Sequence, residues 1–362
     1  MLTDLQPPFY KKLSSVLISV ALLCVALIYG KNIILPILFS ILLANLLLPA
    51  TQYLSRKKVY KVLTIMLPLM ATILVGAAIL YLLSSQIFKF IEDMPALKER
   101  FNQIVHDLQI WFKKGTSITI TKQNQYFKEQ VDDLKEVAPG FMGSTVSSIT
   151  QLFSYAFLVP IYTFLILFYR SKIKIFLIDV FKTDSEQKVK EILTESTSIA
   201  QQYMTGLLIE TTLVFTLNVI GFLILGIQYA VFLALLAALL NLIPYVGMLV
   251  ANILCMLITL VSAADVNNAI GVGVVLALVQ FLDNNFGMPL IVGNKVRINA
   301  LVTIIGVLLG GALCGIPGMF LAIPGLAVIK VICDKVTDLK PWGKLLGDNP
   351  VKPKKKPKWP VL

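Results

Sequence analysis

The group Asp283-Asn284-Asn285, followed by Pro289 and Gly293, sits in a chain that is apolar for long distances on either side. A carboxyl and two carboxamides there can replace the water around a polar solute or a small cation, which is what a path through a membrane requires. A second group, Asn241-Leu242-Ile243-Pro244-Tyr245-Val246-Gly247, ends another apolar run. Both follow a loose plan of Asn, then Pro, then Gly at steps of three or four: Asn241/Pro244/Gly247 and Asn285/Pro289/Gly293. Such breaks free backbone amides and carbonyls that must be buried in protein or line a cavity. Carriers use broken helices of this kind, often in paired repeats, to hold ions or solutes. Glu210 lies early in a further apolar run, a costly place for a carboxylate; it binds a cation or proton there, or reaches back to the interface. Asn218, Asn241, Asn252 and Gln280 either line the path or make interhelical hydrogen bonds.

Other chemistries find little support. There is no His-Glu-x-x-His pair, no phosphate loop ending in Gly-Lys-Ser/Thr and no Gly-x-Ser-x-Gly elbow. The only histidine, His106, stands alone in a polar segment, and Cys24, Cys255, Cys314 and Cys333 lie in or at the ends of apolar runs without metal-ligand spacing. The expectation is a protein that is not an enzyme and needs no cofactor or metal. Without a nucleotide site, any transport is secondary, driven by gradients.

The elements that must position these groups are membrane helices. The 362 residues are 57% hydrophobic and only 14% charged, far from a soluble average. Several runs reach the roughly 18 residues that cross a bilayer as a helix. The reading is an all-α integral membrane protein of about eight transmembrane helices, with broken or re-entrant elements and an amphipathic helical insertion. Residues 1–83 carry N-terminal spans, at Leu13 to Gly30, Ile33 to Ala50 and about Val62 to Leu83. Residues 84–147 form the insertion: between Lys89 and Glu136 eight Lys/Arg balance eight Asp/Glu, as expected outside the cell membrane. Residues 148–205 hold a fourth span and a cytoplasmic helix, with Asp184 as a candidate cap. Residues 206–333 are the transport bundle, closing in a stretch broken at Ile316-Pro317-Gly318 and Ile323-Pro324-Gly325, read as a hairpin with both ends on one side. Residues 334–362 are a basic tail.

The net charge of +12 is concentrated beside apolar runs and in the tail, so it anchors the protein to a membrane and does not bind nucleic acid. Lys11 and Lys12, then Arg56, Lys57, Lys58 and Lys61, put the N-terminus and the second connection in the cytoplasm; the Lys-rich tail joins them there.

The Ile243-Pro244-Tyr245-Val246-Gly247 break, the Gln280-x-x-Asp283-Asn284-Asn285 turn with Pro289, and the run from Gly310 to Pro324 resemble the autoinducer-2 exporter family of bacterial membrane proteins. The resemblance implies a secondary transporter of the bacterial inner membrane, homo-oligomeric and plausibly pentameric. It implies export of a small polar solute such as the furanone signal autoinducer-2; some members are linked to sodium/proton antiport. Where many members carry His-Pro after the polar turn, this chain has Asn299-Ala300, so a titrating histidine at that position is not available to it. The expected pathway residues are Asn241, Pro244, Tyr245, Gly247, Gln280, Asp283, Asn284, Asn285, Pro289, Gly293 and Asn299, with Glu210 and Asp283 coupling to a proton or sodium ion. The alternatives are a sodium/proton antiporter without an organic substrate, and a passive channel or oligomeric membrane scaffold.

Overall fold

Hydrocarbon offers no hydrogen bonds, so long apolar runs must satisfy their backbone internally, as helices. The computed structural model describes residues 9–110 except 94, 97–98, 101, 105 and 107–109, then residues 154–181, 186–243, 246–263, 265–287 and 298–348. Every named element is helical, and among the described residues the β structure is confined to one isolated bridge between Ile298 and Gly347. The helices are α1 (Phe9–Arg56), α2 (Lys61–Glu92), α3 (residues 154–180), α4 (Glu186–Ile224), α5 (Ala230–Asn241), α6 (Val246–Ala263), α7 (Val266–Leu282), α8 (Ala300–Lys335) and α9 (Lys340–Leu346). Among the described residues, five stretches are long and apolar enough to cross a membrane: Leu17–Arg56, Lys61–Phe90, Glu186–Ile224, Val266–Gly287 and Ala300–Lys335. Ala230–Asn241 and Gly247–Ser262 are shorter apolar helices. The molecule is an all-α, multi-span membrane protein, and its outer surface is correspondingly oily, with Leu74, Leu80 and Ile224 each more than 60% exposed.

The first two expected spans are one helix. Gly30, Lys31 and Asn32 are all helical, because a lone glycine weakens a helix by only about 1 kcal/mol and lysine is a good helix former. At about 1.5 Å per residue the 48 residues of α1 extend roughly 72 Å, more than twice a hydrocarbon core. The turn expected between those two spans is absent. From Leu35 onward α1 is packed: Ala44 and Leu47 join Ile65 and Leu69 of α2 and Leu167 of α3 in a buried cluster. Polar groups stitch the same corner. Ser40 Oγ donates to Pro36 O (2.6 Å) and Val159 O (3.0 Å), and Thr163 Oγ1 donates to Val159 O (2.7 Å). These buried hydroxyls have their partners, and act as structural glue between α1 and α3.

The helix expected before the fifth span is continuous with it in α4, while residues 182–185, with the candidate cap Asp184, lie outside the described residues. α2 runs past residue 83 to Glu92, and residues 111–153, most of the expected insertion, are likewise outside the described set.

Helix α8 is a hairpin. Gly315 has φ 66° and ψ −153°, a left-handed conformation that glycine adopts freely, and it reverses the chain within what is otherwise one helical run. The arms pack so closely that a Cβ on Gly306 would stand 2.5 Å from Leu326 Cδ1, and one on Gly310 would collide with the carbonyl oxygen of Gly318. The base is closed by Asn299 N–H donating to Leu346 O (2.8 Å), beside the Ile298–Gly347 bridge. Both ends therefore share a side. The turn falls just before the first expected break; at the second, Pro324 is buried inside an unbroken arm.

Candidate functional site: a carboxyl pair beside a carboxamide-lined cavity

On α4, Glu210, Val214 and Asn218 recur every four residues and so share a face. All three are buried, Asn218 with only 1% of its surface exposed. That face meets α5 and α7, whose buried stripes run through Ala234, Ala237 and Ala238, and through Val272, Leu276 and Val279. Small residues on α5 let it lie close against its neighbours.

Two chain breaks deliver the remaining groups to this face. α5 is only 12 residues long and ends at Asn241; there Leu242 and Ile243 N–H donate back to Leu239 and Leu240 carbonyls, closing the last turn. α7 ends differently. Its final turn widens into a π-helical segment, Asp283–Gly287, of the kind often found where a helix serves a site. Asp283, 3% exposed, points into the bundle. Its carboxyl lies beside the Asn241 side chain and close to the carboxyl of Glu210. Gly287 makes room for it: a Cβ there would lie 2.5 Å from Asp283 Oδ1.

Adjoining the pair, Asn218 of α4, Asn241 of α5, Asn252 of α6 and Gln280 of α7 line one cavity, with Val214, Ala237, Ala251 and Leu276 completing the wall. The cavity is about 10 Å3, the room one water needs. Asn218 Oδ1 and Asp283 Oδ1 are buried acceptors without a protein donor. Ser196 Oγ and Thr259 Oγ1 are likewise buried without a protein partner. Two carboxyls this close at membrane depth repel unless a proton or cation lies between them, and four carboxamides can offer either oxygen or N–H to what enters.

One end of this region is sealed. Beyond the cavity, Phe222, Phe232, Leu233, Cys255 and Val272 form a buried apolar plug. Phe90 of α2 stacks on Phe232 and meets Tyr229 edge-on. Tyr229 donates its hydroxyl to Asp93, and Arg100 donates to the carbonyl of Ser262. Burial, reinforced by the bond to Asp93, pushes the Tyr229 phenol up to about 12.

Of the residues singled out in the sequence, the structure brings Glu210, Asn218, Asn241, Asn252, Gln280 and Asp283 together. Gly247 is buried at the α5–α6 turn, where a Cβ would strike Leu240 O. Asn284 and Asn285 are exposed, and their side chains engage Gln280 (3.1 Å) and Phe281 O (2.8 Å). Asn299 caps α8, accepting from Leu301 N–H at 2.9 Å. Pro244, Tyr245, Pro289 and Gly293 lie outside the described residues. Gly287 is the residue that sequence reasoning passed over; its signal was the i, i+4 spacing from Asp283.

The fold and site are those of a helical membrane bundle whose polar breaks meet at a buried carboxyl pair. Residues 17–338 match the family model described as AI-2E family transporter, and the chain belongs to that family. It is similar to YrrI of Bacillus subtilis, a candidate transport protein, at 26% identity, the alignment covering 83% of this chain and 86% of that one. It is also similar to YueF, a second candidate transport protein of the same organism, at 22% identity over 84% of each chain. A candidate transport protein of Haemophilus influenzae is 23% identical over 88% of this chain and 91% of its own.

Proposed function

We propose that this protein is a gradient-driven transporter that exports a small polar solute, an autoinducer-2-like signal being one candidate, with the Glu210–Asp283 pair as its proton- or cation-coupling site. The observation that carries this reading is the closeness of those two buried carboxyls, with the Asn241 side chain beside one of them, at a break between helices. A pair that needs one positive charge between its members changes its geometry when that charge leaves, and Asn241 transmits the change to the α5–α6 turn. The carboxamides of Asn218, Asn252 and Gln280 supply hydrogen bonds to the cargo. The protein acts as a carrier, not a catalyst, in a bacterial inner membrane with the α1–α2 turn and the C-terminal tail on the cytoplasmic side, and it assembles as a homo-oligomer. The size of the cavity, room for one water, favours a second reading: exchange of a small cation for protons, with no organic solute. Sealed vesicles holding the purified protein, given a panel of polar solutes under separate proton and sodium gradients, distinguish the two. Solute flux that follows either gradient supports export. Sodium-dependent proton movement in vesicles without solute supports antiport, and flux indifferent to both gradients rejects coupled transport.

A further inference from the structure

At the opposite corner of the molecule, Arg56 ends α1, Lys57 and Lys58 form the turn, and Lys61 opens α2. The turn is tight, with Lys57 and Lys58 N–H donating to Leu54 and Ser55 carbonyls at 3.1 Å. α3 passes beside it: Lys61 Nζ stands 4.3 Å above the ring of Phe168. Lys172, one turn further along α3 and on the same face, holds its ammonium 5.6 Å from the Tyr169 ring, while Lys57 rests 4.7 Å above Tyr53. An aromatic face attracts the cation but accepts none of its hydrogen bonds in the ordinary way, so these ammonium groups keep N–H donors for another acceptor. Among the described residues, no ion pair engages any of the five cations.

The surface beside this cluster is apolar and open. From the cluster towards the part of α3 that α2 packs along, Val62, Leu63 and Leu67 of α2 are about half exposed and Leu165 of α3 is 41% exposed. Cations gathered from three helices, with oily flanks alongside, match a ligand that carries an anionic head and hydrocarbon chains. We propose that the α1–α2 turn and the facing stretch of α3 bind the headgroup of an anionic phospholipid, with Lys57, Lys58, Lys61 and Lys172 on its phosphate and the exposed faces of α2 and α3 along its acyl chains. A free phosphate matches only the first half of that description, and a zwitterionic lipid carries a compensating charge that the lysines repel.

The test is native mass spectrometry of the purified full chain in detergent, with phosphatidylglycerol and phosphatidylcholine added in equal amounts. Wild type is expected to retain phosphatidylglycerol selectively. Changing Lys57, Lys58, Lys61 and Lys172 to Gln is expected to weaken that retention by roughly fivefold for each lysine removed, the effect of one charge at an anionic surface. A control with Lys188, Lys190, Lys340 and Lys344 changed to Gln keeps the preference. Should the fourfold variant fail to fold, Lys61→Gln/Lys172→Gln leaves the turn intact and carries the same expectation for two charges. Equal retention of phosphatidylglycerol by variant and wild type, or no preference between the two lipids, overturns the proposal. So does displacement of the lipid by millimolar inorganic phosphate, which would make the site one for free phosphate.

Discussion

At Gly287 a missing side chain decides what Asp283 can do. A methyl group there would stand 2.5 Å from Asp283 Oδ1, well inside van der Waals contact, so Gly287→Ala is expected to turn the carboxyl away from Glu210. Gradient-dependent flux should fall at least tenfold, about 1.4 kcal/mol in the coupled step, while circular dichroism remains that of wild type. Asn218 offers a contrasting case. Its Oδ1 is buried without a protein donor, a condition that costs about 1–3 kcal/mol. Asn218→Leu, which keeps the branched outline and removes both polar atoms, is expected to raise the melting temperature of the purified protein and to lower flux. A melting temperature that falls would mark Asn218 as a structural hydrogen-bonding residue. The four-residue spacing of Glu210, Val214 and Asn218 was legible in the sequence, as were the types of the other polar groups. What was not legible was which of the adjacent Asp283, Asn284 and Asn285 turns inward. The π-helical turn selects Asp283 and leaves both asparagines exposed, and a residue string does not announce a widened turn.

Helices decide how these residues meet and how the site is closed. The plug end is tied to α2 by the Tyr229–Asp93 bond and by Phe90 between Tyr229 and Phe232. Tyr229→Phe removes a hydrogen bond to a carboxylate, worth about 1.5–3 kcal/mol, and should lower the melting temperature without abolishing folding. The phenol of wild type, raised to about 12, binds its proton more tightly folded than unfolded. Its contribution is therefore complete below pH 10 and declines as pH rises towards 12; thermal melts of wild type and Tyr229→Phe should converge over that range. In α8 the arms touch through glycine, so Gly310→Val is expected to force them apart and destabilise the fold by about 1–3 kcal/mol or more. The hairpin itself was foreseen from the Pro and Gly pattern. Its pivot was not, because the reversal depends on a positive φ at Gly315, whereas Pro324 is accommodated inside an arm. α1 misled in the opposite sense: Gly30-Lys31-Asn32 reads as a loop by polarity, yet nothing in those three residues prevents a helix from continuing.

Across the whole molecule, polarity is distributed by role. Ser40 of α1 donates to Val159 O of α3 and ties those helices, the basic corner faces outward, and within α4–α7 Asn218 and Asp283, like Ser196 and Thr259, each carry a buried oxygen without a protein partner. The family fixes the class of function, membrane transport; the proposed mechanism places its coupling at the Glu210–Asp283 pair. The most direct measurement of that claim is proton movement in sealed vesicles, followed with an entrapped pH-sensitive dye, after a gradient of solute or sodium is imposed. Wild type is predicted to move protons, and Glu210→Gln/Asp283→Asn, folded and inserted to the same extent, to move none above empty vesicles. Equal proton movement by wild type and the double variant would contradict the account.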